Sequence, residues 1–317
     1  MTIEIPGLHH VTSIASNPQQ NVDFYTEVLG LRLVKRTVNF DDKYTYHLYY
    51  GDEVGNPGTV LTFFPFEDGR QGRVGRGQTS ATAFVIPEGS VDYWIDRLES
   101  RDVDVDTPHT RFGETVVPFR DHDVQPLELV TGTSDIEPWA DGPVPADNAI
   151  RGFHSVTLDS LNPEKTRAVL ETLGYESTAQ DGERMRYRAS GNGNRASFID
   201  VLARPDTPRG QQGVGTVHHV AFRTPNTQTQ AEWREPLSET GLQVTAQKDR
   251  QYFMSMYFRE PGGTLFEIAT DGPGFTRDES ISELGTELKL PPWLENDRAM
   301  LEERLPEIEP ASITEAN

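Results

Sequence analysis

Four stretches of the chain open on one pattern of apolar and polar positions. They are Gly7-Leu8-His9-His10-Val11-Thr12, Thr79-Ser80-Ala81-Thr82-Ala83-Phe84, Gly152-Phe153-His154-Ser155-Val156-Thr157 and Thr216-Val217-His218-His219-Val220-Ala221-Phe222. Each alternates or runs apolar for the length of a strand. Behind the first, Val22, Tyr25 and Leu29 fall on one helical face and Gly30 is a natural stop. Behind the third, Pro163 marks a helix start, Val169, Leu170 and Leu173 supply its apolar face, and Gly174 ends it. Behind the second, residues 91–98 have the same spacing. Strand pairs then close the units, at 44–50 with 59–64 and at 252–258 with 264–269, and more briefly at 127–130. The pattern predicts a βαβββ unit, repeated four times.

The expected fold class is therefore α+β, with curled mixed sheets in two tandem modules of two units each, 1–134 and 150–271. The Pro/Asp/Gly-rich stretch 138–148 is the expected linker. A C-terminal extension, 272–317, carries a short amphipathic helix at 298–305, closed by Pro306 and read as a strap over the second module, and then an acidic tail.

Composition narrows the partners. The 317 residues include 50 acids against 29 bases, for a net charge of −21. Such a surface repels phosphate, which speaks against nucleic acid and anionic membranes. No run approaches the roughly 18 to 20 apolar residues of a membrane span, and the N-terminus lacks the basic and apolar regions of a secretory signal. A soluble, cytoplasmic protein is expected, and nothing in the pattern excludes a homo-oligomer. Only five of the bases are lysines. An acid-rich, lysine-poor surface suits a halophilic cytoplasm, where concentrated ions screen self-repulsion. With no cysteine there is no thiolate ligand or nucleophile.

Chemistry points to the histidines. Four of the eight form two doublets, His9-His10 and His218-His219, each in the opening strand of a unit. Aligned on the tails of those strands, His10 and His219 share one position, filled by Ser155 in the third unit and Ala81 in the second. His154 falls instead on the position of His9. In the closing strands Glu267 aligns with Thr62 and Glu128. Packing the first and last units together would assemble His10, His219 and Glu267, with Thr62 as a non-ligand at the fourth corner. Two imidazoles and a carboxylate with open positions suit Fe(II) and O2. Glu128, with Ala81 beside it, is read as structural, and His47, His109 and His122 receive no role.

These units, with Phe24-Tyr25-x-x-Val28-Leu29-Gly30-Leu31 and Phe258-Arg259-Glu260-Pro261-Gly262-Gly263-x-x-Phe266-Glu267, resemble the vicinal oxygen chelate superfamily along essentially the whole chain. Within it the closest resemblance is to the para-hydroquinone ring-cleaving dioxygenases. The resemblance implies a metal held by His10, His219 and Glu267, and functional positions beside it at His9, Thr12, His218, Arg250 and Tyr257. It implies Fe(II), or Mn(II) on the same ligands, with O2 as co-substrate and a small aromatic diol as substrate. His218 or His9 would move protons, Arg250 would steady an oxyanion and Tyr257 would bind the distal hydroxyl. Strict strand alternation would turn His9 and His218 away from the metal. Catechol-cleaving relatives keep a ligand histidine in the third unit, where this chain has Ser155. A glyoxalase-like isomerase would want a fourth protein ligand, and a binding protein of this fold would leave the triad unexplained.

Overall fold

The computed structural model describes residues 4–190 and 196–309, so most of the expected acidic tail, 310–317, lies outside the described residues. The repeat becomes four βαβββ units. The first comprises β1 (Leu8–Ala15), α1 (Pro18–Asp23), β2 (Arg32–Asn39), β3 (Asp42–Gly51) and β4 (Val60–Pro65), with α1 running on as a π-helical stretch, Phe24–Val28. The second comprises β5 (Gln78–Ile86), α2 (Val91–Glu99), β6 (His109–Arg111), β7 (Glu114–Arg120) and β8 (Pro126–Thr131). The third has β9 (Phe153–Asp159), α3 (Pro163–Thr172), β10 (Tyr175–Asp181), β11 (Arg184–Ala189) and β12 (Phe198–Leu202). The fourth has β13 (Thr216–Thr224), α4 (Thr227–Glu232), α5 (Arg234–Glu239), β14 (Lys248–Asp249), β15 (Phe253–Arg259) and β16 (Leu265–Pro273).

Local chemistry sets the helix limits. The side chains of Asn17 and Asn162 accept from the N–H groups of Gln20 and Lys165, each ahead of a proline in the first turn. Gly30 and Gly174 end the first and third helical segments at φ of +71° and +89°, a conformation that penalises any Cβ. Val22, Tyr25 and Leu29 are buried together, as their spacing requires.

The strands form two eight-stranded sheets, ordered β14-β15-β16-β13-β1-β4-β3-β2 and β10-β11-β12-β9-β5-β8-β7-β6. In every unit the first strand lies parallel to the last and would form an open edge. Antiparallel pairing of β1 with β13, and of β5 with β9, covers those edges. Sequence modules and sheets therefore do not coincide, because each sheet joins one unit from either half of the chain. The first sheet curls until its two ends meet, where Arg250 Nη2, just past β14, donates to Asp41 in the β2–β3 turn at 2.8 Å. One apolar cluster links both sheets, with Trp94 of α2 and Leu170 of α3 fully buried in it.

The C-terminal extension corrects one expectation. Its helix, α6 (Arg298–Arg304), straps the first unit and not the second module. Leu288 bridges to Arg36 of β2, the Tyr46 hydroxyl of β3 donates to the Pro306 carbonyl, and Leu301 is fully buried. The outer edge of β2 offers unpaired backbone groups and apolar side chains, and the extension supplies partners for both.

Candidate metal centre

On the concave face of the first sheet, neighbouring strands bring three donor atoms together. His10 Nε2 of β1 lies 3.2 Å from His219 Nε2 of β13, and Glu267 Oε2 of β16 lies 3.4 Å from the first and 2.9 Å from the second. All three residues are buried. Glu267 Oε1 accepts from the Ser255 hydroxyl at 2.5 Å, which leaves Oε2 facing the two imidazoles. A divalent ion with bonds of about 2.1 Å to three mutually perpendicular donors holds them about 3 Å apart. The three separations fit that arrangement, so these residues could hold a metal through one face. Burial alone would raise the Glu267 carboxyl, but the adjoining His10 and His219 outweigh it and hold the group well below the usual carboxylate range.

The first histidine of each doublet supports the second. His9 Nδ1 lies 2.9 Å from His10 Nδ1, and His218 Nδ1 lies 2.8 Å from His219 Nδ1. A regular strand would not allow such contacts. The pairing Leu8↔Phe222, His10↔Ala221 leaves His9 as an extra residue on β1, and Thr12↔His219, Ser13↔Val217 leaves His218 extra on β13. Two symmetric β-bulges thus re-aim the side chains, which is why the alternation argument fails here. If Nε2 of each inner histidine keeps its lone pair for a metal, Nδ1–H must donate to the outer ring. His9 then carries its proton on Nε2, which lies 3.1 Å from the Thr270 carbonyl. His9 is buried behind His10, whereas His218 lines the cavity, its pKa lowered to about 3 by burial and then by His219.

Above the triad lies a cavity of about 560 Å³, walled in part by Phe64, Phe253 and Tyr257. Tyr257 sits edge-on to His219 with centroids 5.8 Å apart and accepts from Arg250 Nε at 3.2 Å. Burial, then the charge of Glu267, raises its hydroxyl pKa, so it remains a donor. The fourth corner is Thr62, whose hydroxyl is tied to Thr12 Oγ1 and to His47 Nε2, each at 2.8 Å. His47 Nδ1 lies 2.7 Å from the Tyr49 hydroxyl. Sequence reading missed His47, although its place two residues before Tyr49 on β3 puts both on one strand face. His109 and His122 do not line this cavity and belong to the second unit.

The second sheet repeats the framework without the histidines. Its bulges fall at Ser80 and His154, the corresponding positions, and its inner corners are Ala81, Ser155, Glu128 and Asp200. Arginines fill the space. Arg111 makes a two-pronged pair with Glu128 at 2.7 and 2.8 Å, while Arg186 holds Asp200 at 2.8 and 3.1 Å. Arg184 reaches the same Asp200 at 3.0 Å. His154 contacts Ser155 and Glu114, so it is a hydrogen-bonding residue of this second network.

The description of the Glyoxalase/Bleomycin resistance protein/Dioxygenase superfamily matches residues 7–129 and again 144–268, and the chain belongs to that superfamily. Within it the chain is an enzyme of the ring-cleaving dioxygenase type. It is 46% identical to "Putative ring-cleaving dioxygenase MhqE" of Bacillus subtilis, over 95% of this chain and 99% of that one. It is 38% identical to the "Chlorohydroquinone/hydroquinone 1,2-dioxygenase" of Sphingobium indicum, over 92% and 93% of the two chains. A crystal structure of a Bacillus subtilis protein, 45% identical, superposes with a TM-score of 0.93 over 97% of this chain and 98% of that one. Glyoxalase I of Zea mays, 13% identical, shares the fold at a TM-score of 0.65 over 84% and 92% of the two chains.

Proposed function

We propose that the chain is an Fe(II)-dependent dioxygenase that opens the ring of a hydroquinone-type diol beside one hydroxyl, with His10, His219 and Glu267 holding the iron. The observation that carries this reading is the convergence of Glu267 Oε2 with two imidazole nitrogens, all three residues buried, beneath an aromatic-walled cavity. Iron held there would anchor a phenolate and pass electrons toward O2, and Mn(II) suits the same donors. The protein's own groups do the rest. Phe64 and Phe253 flank the ring and exclude water, Tyr257 donates to the far hydroxyl, and Arg250 fixes Tyr257 while facing developing negative charge. His218, neutral and lining the cavity, accepts from His219 through Nδ1 and so keeps its proton on Nε2, from which it donates a hydrogen bond to the oxygen that gains negative charge. His9 has no access to substrate and serves by fixing His10, and Thr12 by fixing Thr62. The hydroquinone preference draws on the name of the Sphingobium relative and on Ser155, which leaves the third unit without a ligand histidine. The acid-rich, lysine-poor surface accords with work in a salt-rich cytoplasm, and no helix among the described residues is long and apolar enough to cross a membrane.

Protein loaded anaerobically with Fe(II) and then given O2 should consume it with hydroquinone and not with catechol. Uptake with catechol alone would refute the substrate and leave only ring cleavage standing. Tyr257→Phe should cost about 1–2 kcal/mol in kcat/KM, roughly 5- to 30-fold, with metal content unchanged. A full-strength Tyr257→Phe enzyme would remove that residue from substrate binding.

A further inference from the structure

We propose that the two connectors joining the sheets form an anion subsite beside the metal centre, which receives the carboxylate of the ring-opened product. This rests on the ring-cleaving reading. Cleaving the carbon–carbon bond beside a hydroxyl with both atoms of O2 converts a neutral diol into an open chain bearing a carboxylic acid and a carbonyl. The acid loses its proton at neutral pH, so the reaction creates an anion inside a protein of net charge −21.

Acids are abundant along the chain, yet residues 69–87 and 207–231 contain none. These acid-free runs take in the later part of each connector, 69–77 after Glu67 and Asp68 and 207–215 after Asp206. The structure pairs these parts through bridges Gln71↔Val214, Arg73↔Gln211 and Arg76↔Arg209. Gln212 of the second connector lines the main cavity. A side pocket of about 220 Å³ shares Gln212, His218 and Leu265 with that cavity and is lined by Arg76, Arg209 and Arg259, with no carboxylate in its wall. None of the three arginines forms an ion pair among the described residues, whereas Arg111, Arg186 and Arg250 each have a carboxylate partner. Arg76 Nε, Gln78 Oε1 and Thr79 Oγ1, also from the pocket wall, are buried without a hydrogen-bond partner, and Thr79 is only 2% exposed.

Charge balance decides where a product anion would go. In the main cavity the two cations, Arg250 and Lys248, share the wall with Asp41, which pairs with Arg250, and with Glu267. The side pocket holds three cations with no counter-charge, next to His218. A wall of one sign concentrates ions of the other and guides them along it. A neutral hydroquinone gains nothing from this field, so the subsite discriminates product from substrate.

Maleate, a small cis-dicarboxylate, and its neutral dimethyl ester serve as probes by calorimetric titration of the metal-loaded, full-length protein. The expected result is that maleate binds and the ester does not. In the combined variant Arg76→Gln/Arg209→Gln/Arg259→Gln the maleate Kd should rise by about tenfold or more, while KM for hydroquinone stays within about twofold. Lys248→Gln, a cation of the main cavity, should leave the maleate Kd unchanged. Should the triple variant fold poorly, Arg209→Gln alone should still weaken maleate by about threefold, since its side chain is exposed. No binding of maleate, equal binding of the ester, an unchanged Kd in the arginine variants, or an equal loss in Lys248→Gln would each overturn the proposal. Absence of O2 uptake with any diol would instead remove the ring-cleaving reading, leaving the maleate result to decide the subsite by itself.

Discussion

Replacing His10 by alanine is expected to abolish metal retention and O2 consumption together. Three protein donors leave no redundancy, and the two that remain, His219 and Glu267, come from the other half of the chain. Disturbing a supporting residue around a metal typically lowers affinity about 10- to 100-fold. His9→Ala, which removes the ring held 2.9 Å behind His10, should fall in that range. Loss of His10 itself should exceed it. His154→Ala should leave metal content and turnover largely intact, because His154 lies in the second sheet against Ser155 and Glu114. Metal content after desalting, measured on the three variants, checks the order. Equal loss from His10→Ala and His154→Ala would move the site to the third unit and favour the arrangement of the catechol-cleaving enzymes.

Asp200→Ala should be a strongly destabilising change outside the first sheet. Asp200 is fully buried, and it faces Arg186 and Arg184 at 2.8 and 3.0 Å. Removing it leaves two guanidinium groups in a poorly solvated place with one fewer counter-charge. Breaking a buried pair in this way costs about 3–5 kcal/mol. Chemical denaturation of the apo-protein reads the loss without interference from metal binding. A change below about 1 kcal/mol would mean that water or Glu114 already balances these arginines. The first sheet would keep its donors, so the folded fraction of the variant should still bind metal.

The repeat was legible because period-two and helical patterns recur with the same stops, and Gly30 and Gly174 end the helices where the spacing indicated. The triad was legible for a related reason. Register along a strand is set by alternation, so aligning His10 with His219 on the tails of β1 and β13 placed both on one face. What alternation hid was the pair of bulges. An extra residue on a strand has no local signature in the sequence, so the contacts of His9 and His218 with the rings beside them became visible only in the structure. The role of Glu128 as structural was readable from the absence of a histidine at Ala81. Its actual partner, Arg111, sits on a three-residue strand too short for any pattern to announce. His47 was missed because isolated histidines carry no motif, and its significance depends on Thr62 and Tyr49 from paired strands. The strap was assigned to the wrong partner for a similar reason. An amphipathic helix shows which of its faces is apolar, but not which unit that face will cover.

The two halves of the chain are expected to build one metal centre between their outermost units. Anomalous scattering at the iron edge, from crystals loaded anaerobically with Fe(II), tests it most directly. One strong peak per chain is expected within bonding distance of His10 Nε2, His219 Nε2 and a Glu267 carboxylate oxygen. A peak among Ser155, Glu128 and Asp200 in the second sheet, or none at the triad, would contradict it.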